Sequence, residues 1–196
     1  KINFLTADSK AFANLRNSYS KKLPNKIKSV MILELQLWCD DVRFELPETM
    51  ILYEFYFYLC NIFSSLGYKI LFKKRPKSKK IKHFNFFKNF KNLEVIEGDL
   101  KDPKIMSLAD IIIFQYGLSS TFIPLVCSKS KLIYVDCGWE KWNKNLMKVL
   151  NKRCDVVRAN FDKKNRIRIK LDDLKKALIE NNKSDSEIFF KKYLLK

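Results

Sequence analysis

Histidine is almost missing from this sequence: His83 is the only one in 196 residues. The five cysteines, at 39, 60, 127, 137 and 154, never fall as C-x-x-C. Together these argue against a Cys/His zinc site. An odd, scattered set of thiols predicts reduced, buried cysteines in a cytosolic chain rather than a disulfide frame. His83 is expected to be an ordinary surface or partly packed residue. No D-x-D motif is present to gather a metal. Nothing near Lys1 reads as a secretory leader. The one stretch that could imitate a membrane span, "MILYEFYFYLCNIFSSLG" at 50–67, carries Glu54 and Asn61. Leu52, Phe55, Tyr56, Leu59, Phe63 and Leu66 share one helical face there, and Glu54, Tyr58, Asn61 and Ser65 another. That predicts an amphipathic helix buried on one side, not a lipid-facing cylinder.

Acidic residues are also scarce, 21 against 39 Lys and Arg, which leaves a net charge of +18. Such a balance invites an anionic partner: nucleic acid, an anionic membrane surface or a phosphorylated substrate. The chain is equally rich in Lys, Ile, Asn and Phe, whose codons are AT-rich, so genome bias is a competing source of the lysine. Hydrophobic content of 47% is that of a globular protein.

The pattern along the chain alternates. Residues 1–27 lack sustained apolar periodicity and read as a basic linker or N-terminal arm. Strands are predicted at 29–38, 68–74, 93–98, 110–116, 131–136 and 155–160, each short, apolar and rich in β-branched residues. Helices are predicted from Glu48 or Thr49 to Gly67, at 80–90, 102–108, 119–128, 140–152, 171–182 and 186–195. Gly67 suits the position just past a helix end. Alternation of this kind predicts an α/β domain over 28–196. The expected form is a Rossmann-like, doubly wound parallel sheet of about six strands in the order 3-2-1-4-5-6, with helices on both faces.

That topology places ligands outside the carboxyl ends of the strands, where the order reverses, between strands one and four. The loop after strand four is "YGLSST" (116–121). Gly117 allows close backbone approach, and Ser119, Ser120 and Thr121 add hydroxyls at a helix start. Taken alone, "GLSST" reads as an ordinary helix cap; its place at the switch point turns the reading toward phosphate. The loop after strand two contains Lys74 and Arg75 before Pro76. Arginine's planar fork suits phosphate oxygens, and a solvated basic loop is the alternative for the whole lysine run. Asp40 and Arg43, beside Asp41, follow strand one and could meet a sugar, a ribose or a partner domain. Gly138 and Trp139, near Trp142, follow strand five and could contact the donor or cover the cleft, with core packing as the alternative.

A basic residue before proline, an acidic-Gly strand end, "LADIIIFQYGLSST" and then "KLIYVDCG" together resemble the C-terminal, nucleotide-binding half of GT-B glycosyltransferases. The likeness is to bacterial families that use CMP-linked acidic sugars or CDP-linked alditols: sialyltransferases, Kdo transferases and teichoic-acid polymerases. The resemblance spans 28–196. It implies that Arg75-Pro76 stands where the family has His-Pro, and that Ser119, Ser120 and Thr121 stand for its Ser-Ser/Ser-Thr motif. Both motifs contact the donor's phosphate or ribose. Arginine binds phosphate but does not donate a proton near neutral pH. "EGD" at 97–99 imitates an acidic catalytic motif but falls on the wrong half, and Glu97 and Asp99 read as strand-end residues. The resemblance implies a nucleotide-activated sugar or alditol as substrate, no metal or other cofactor, and an acceptor domain N-terminal to this one. It implies work in surface polysaccharide synthesis, in the cytoplasm or at the inner membrane face. The catalytic residues stay unassigned. Two other readings stay open: a nucleic-acid-binding module, which no helix-turn-helix, zinc or RNA-recognition signature supports, and a degenerate transferase half acting as a scaffold.

Overall fold

The computed structural model describes residues 28–35, 49–75, 87–100, 102–117, 121–128 and 130–179. Seven strands form one sheet in the order β3-β2-β1-β4-β5-β6-β7. They are β1 Ser29–Leu33, β2 Lys69–Lys73, β3 Leu93–Ile96, β4 Ile111–Phe114, β5 Lys131–Asp136, β6 Asp155–Phe161 and β7 Ile167–Ile169. The first six are parallel and β7 is antiparallel to β6. The helices are α1 Thr49–Ser65, α2 Pro103–Met106, α3 Phe122–Cys127, α4 Lys144–Arg153 and α5 Leu171–Ile179.

The central strands β1, β2, β4 and β5 bury both faces, because alternate residues point into two separate cores. Val30, Ile32, Ile70, Phe72, Ile111, Ile113, Ile133 and Val135 pack with α1 and α5. Met31, Leu33, Leu71, Ile112, Phe114, Leu132 and Tyr134 pack with α2, α3 and α4. The doubly wound order is therefore the expected one, extended by one short strand. β7 carries only "IRI", with a half-buried arginine between two buried isoleucines, too little pattern to announce a strand.

α1 buries Leu52, Phe55, Tyr56, Leu59, Cys60 and Phe63, a continuous stripe at helical spacing. Leu66 falls outside it, since the helix has ended and Leu66 is exposed. The end is a Schellman motif. Tyr68 N–H donates to Phe63 O and Gly67 N–H to Ser64 O, both at 3.0 Å, with Gly67 at φ +76°. The Phe63 and Tyr68 rings meet edge-on at 6.1 Å. No helix of the described residues is long and apolar enough to cross a membrane.

Two helices begin later than their sequence pattern suggests. α3 starts at Phe122, not 119, and α4 at Lys144, not 140. In α4 the Asn143 side chain accepts from Asn145 N–H at 2.8 Å and sets the start there. The helix expected at 80–90 is seen only as a single turn over 87–89, and 76–86 lies outside the described residues, as do 1–27 and 180–196. Cys60, Cys127, Cys137 and Cys154 are buried free thiols, as expected; Cys39 lies outside the described residues.

The central pair, β1 and β4, is pinned at its amino end. Asp110 Oδ2 accepts from Lys28 N–H (2.9 Å), Ser29 N–H (3.0 Å) and Ser29 Oγ–H (2.9 Å), and Asp110 itself is buried. Asp110→Ala strands the two buried Ser29 donors. It should cost about 3 kcal/mol, as for other buried groups left without partners. Urea unfolding checks this, and a loss of only a few tenths would contradict the pin.

The β6–β7 connection is organised by another aspartate. Asp162 Oδ1 accepts from Lys164 N–H (2.8 Å) and Arg166 N–H (3.0 Å), and Oδ2 from Arg166 Nε–H (2.8 Å), while Asn165 takes a left-handed φ of 56°. The Arg166 side chain first, then the backbone donors, hold the Asp162 carboxyl down to about 2 from 3.8. A depressed folded value stabilises above the unfolded one and is lost as pH falls through the folded one. The stability difference between wild type and Asp162→Asn should therefore be constant above about pH 4 and close between pH 4 and about 2. Chemical unfolding across that range reads it directly.

Candidate functional site

All six parallel strands present their carboxyl ends on one rim, and the order reverses between β1 and β4. The floor of that switch point is a buried polar junction. Gln115, just past β4, donates from Nε2 to Leu33 O (3.2 Å) and to the Tyr56 hydroxyl (2.6 Å). The same hydroxyl accepts from Leu35 N–H at 2.6 Å. Burial first of all raises the Tyr56 phenol well above its ordinary range, so it stays protonated. Sequence reasoning passed over both residues. Tyr56 sits within an apolar helical stripe, and Gln115 lies in the segment 108–121, where the glycine and hydroxyls carried the reading and the amide did not.

On the β1–β2–β3 side, the basic residues predicted for phosphate lie among carboxylates. Arg75 N–H donates to Glu34 Oε2 at 2.7 Å, and Lys74 Nζ stands 3.7 Å from Glu97. Lys73 is buried, with its ammonium donating to Lys74 O. Desolvation lowers its pKa, opposed by the nearby charges of Asp99, Glu34 and Glu97. Glu97 and Asp99 do lie just past the end of β3, as strand-end residues. Arg75 is half-buried at the edge of this cluster.

On the β4–β5 side, Gly117 is buried beneath Trp142. A Cβ at Gly117 would sit 2.2 Å from Trp142 Cη2 and 2.3 Å from Cζ2. Glycine is required here because an indole ring fills the space a side chain would need, not because of a left-handed backbone. Gly117 N–H points at the Glu140 carboxylate, 2.8 Å from Oε1 and 2.9 Å from Oε2. Tyr134 O–H donates to Glu140 Oε2 at 2.8 Å, and Trp142 Nε1–H donates to the Tyr134 oxygen at 2.9 Å. Trp142 also stacks obliquely on Phe122 (5.5 Å) and meets Tyr134 edge-on (5.9 Å). Burial, above all, pushes the Tyr134 phenol far up, so it remains a donor to the carboxylate.

Thr121 is the residue before α3, half-buried, with φ −86° and ψ −15°, and its side chain does not cap the helix. α3 is only six residues long, about 9 Å. Ser119 and Ser120 lie outside the described residues, as do Asp40, Asp41, Arg43, Pro76 and His83. Gly138 is exposed at φ +74°, with its N–H on Asp136 Oδ1 at 2.9 Å. Trp139 is half-buried against the α1-side core, and its Nε1 is buried with no acceptor among the described residues. The structure thus brings Lys74, Arg75, Gly117, Thr121, Gly138 and Trp139 to one rim. It adds Glu34, Tyr56, Gln115, Tyr134, Glu140 and Trp142.

A mostly apolar cavity of about 290 Å³ is lined by Met50, Tyr53, Glu54, Phe57 and Phe87. It takes in none of the rim residues, and its wall suits no phosphate. Among the described residues no three His, Cys, Asp or Glu side chains gather as a metal would need. Compared with protein-family models and with curated proteins, the sequence matches none.

The glycine at 117 is a steric requirement that can be measured. Gly117→Ala should destabilise by about 2 kcal/mol through overpacking against Trp142. Combined with Trp142→Leu, which opens the space, it should cost about 1 kcal/mol less than the sum of the single changes. Strict additivity in urea unfolding would contradict the contact.

Proposed function

We propose that this chain is the donor-nucleotide-binding half of a GT-B glycosyltransferase, acting on a CMP- or CDP-linked sugar or alditol in bacterial surface polysaccharide synthesis. One observation carries the reading. Arg75, of the Arg75-Pro76 step, follows β2, and Gly117, which opens the segment that resembles the family's second motif, follows β4; β2 and β4 end on the same rim, one on each side of the switch point. An open α/β sheet receives ligands at that rim.

In this reading Lys74, Arg75 and the hydroxyls of Ser119, Ser120 and Thr121 hold the donor phosphate. Negative charge builds on that phosphate as the sugar leaves, and cationic and hydroxyl donors stabilise it without a metal. Arg75 does so as a fixed cation, not as an acid. The acceptor and its catalytic base belong to a second domain. The net charge of +18 suits a cytoplasmic protein resting on the anionic inner face of a membrane.

A thermal-shift panel of CMP, CDP, UDP and random-sequence oligonucleotides tests this. CMP or CDP at a hundred times its Kd should stabilise by about 2.7 kcal/mol. Arg75→Ala and Ser120→Ala should each weaken that binding about tenfold or more. A shift that both substitutions leave untouched would sink the site. Tight, salt-dependent oligonucleotide binding with no nucleotide shift would instead favour a nucleic-acid-binding module.

A further inference from the structure

Gly117 N–H and Tyr134 O–H converge on one point, and an anion already stands there. It is the carboxylate of Glu140, held at 2.8 and 2.9 Å from the amide nitrogen and 2.8 Å from the phenol oxygen. Trp142 Nε1–H, donating to the Tyr134 oxygen, turns the phenol's proton toward that point. A main-chain N–H just past a strand end is a donor that an open α/β sheet offers to an anionic ligand, and the Tyr134 hydroxyl adds a second beside it. The carboxylate arrives on the β5–α4 connection, residues 137–143. That connection leaves β5 through exposed Gly138, whose left-handed φ of +74° has open space around it, and it ends at the Asn143 cap of α4. Trp142, on the same connection, packs against Gly117, its ring filling the space a Cβ would take. One short segment therefore both fills the anion seat and covers it.

The geometry points to a latch: Glu140 is a tethered anion that occupies a phosphate seat made by Gly117 N–H and Tyr134 O–H, and a ligand phosphate binds there only as the 137–143 connection lifts away. This rests on the nucleotide-binding reading of the same rim, and adds to it how the site is kept closed when empty. A phosphate group and the Glu140 carboxylate cannot share the seat, because two anions would meet across the same donors. Affinity is then reduced by the fraction of molecules with the latch open. A purely structural Glu140 has a different consequence: losing it would cost stability and leave anion affinity as it was.

The test is an NMR titration of the full chain with inorganic pyrophosphate, following the Gly117 amide and the Trp142 indole N–H, with CMP and CDP titrated in parallel. Glu140→Gln keeps the size of the side chain and removes its charge; Glu140→Ala removes the occupant. Both should lower the melting temperature of the ligand-free protein. Both should also tighten pyrophosphate binding about tenfold, with the Gly117 and Trp142 signals moving together. Loss of stability with unchanged pyrophosphate affinity overturns the latch and makes Glu140 a structural tie. Nucleotide binding that neither variant alters overturns the latch while the nucleotide reading stands. Pyrophosphate that tightens on the variants and moves Gly117, with no response to any nucleotide, upholds the latch and removes the nucleotide reading. Pyrophosphate that never moves the Gly117 amide, even in Glu140→Ala, overturns the seat itself.

Discussion

The pairing of β1 with β4 is the contact on which the rest of this fold depends. It joins segments about 80 residues apart in sequence, and the sheet reverses its winding there. Parallel strands with no direct connection must be held by more than their ladder, because chain entropy opposes so distant a contact. The molecule closes the pair at both ends with buried side chains. At the amino end a carboxylate collects two main-chain amides and a hydroxyl. At the carboxyl end a carboxamide and a phenol tie Leu33, Leu35 and Gln115 together. Between these ends the strands are apolar on both faces. Register is thus set by polar groups where the strands stop, and burial supplies the stabilisation between them.

The same economy governs the positive charge. Arg153 is fully buried, yet it is well solvated by protein. Its guanidinium donates to Val126 O (2.7 Å), Leu125 O (3.3 Å), Ser128 O (2.6 Å) and Ser130 O (3.0 Å). These are the last carbonyls of α3 and of the turn after it, so a cation at the end of α4 closes the negative end of a six-residue helix. Lys131 does the equivalent for α5, donating to Leu178 O at 2.9 Å. Arg168 pairs with Glu54 through two bonds and lies over the Tyr58 ring at 4.6 Å, fastening β7 to α1. Part of the basic excess is therefore consumed in construction. A count of basic residues thus does not by itself mark a ligand site, and placement on the rim does that instead.

What the sequence announced and what it concealed divide along physical lines. β5, with six residues of which five are buried, has the boundaries its pattern suggests, and α1 with Gly67 ends as its composition predicts. Continuous apolar runs and a left-handed glycine are local signals. β7 is hidden because an arginine interrupts its two isoleucines, and its place is fixed by β6 and by Glu54, far away in the chain. α4 begins late because "EKW" at 140–142 has its own tertiary contacts. Glu140 and Trp142 turn back to Gly117 and Tyr134 instead of entering the helix. Propensity alone reads those residues as a first turn, and tertiary contacts override it. Tyr56, Gln115 and Tyr134 were invisible for the opposite reason: a single polar atom on a mostly apolar side chain does not disturb hydrophobic periodicity.

The rim carries a repeated arrangement that bears on any ligand it takes. On one side of the switch point Arg75 N–H is held by Glu34, and on the other Gly117 N–H is held by Glu140. In a chain with only 21 acidic residues among 196, two carboxylates stand on main-chain amides at the strand ends that an open α/β sheet offers to ligands. The carboxylates satisfy donors that would otherwise be left buried or half-buried without acceptors. They also place negative charge where a phosphate would come. On the proposed reading, phosphate binding at this rim would exchange one anion for another, and its strength would be a difference between two sets of charge-assisted hydrogen bonds, smaller than either. Selectivity then falls to groups that a carboxylate cannot imitate. A phosphate has a third oxygen and a larger charge, and Lys74 and Arg75 stand on the same rim to meet them.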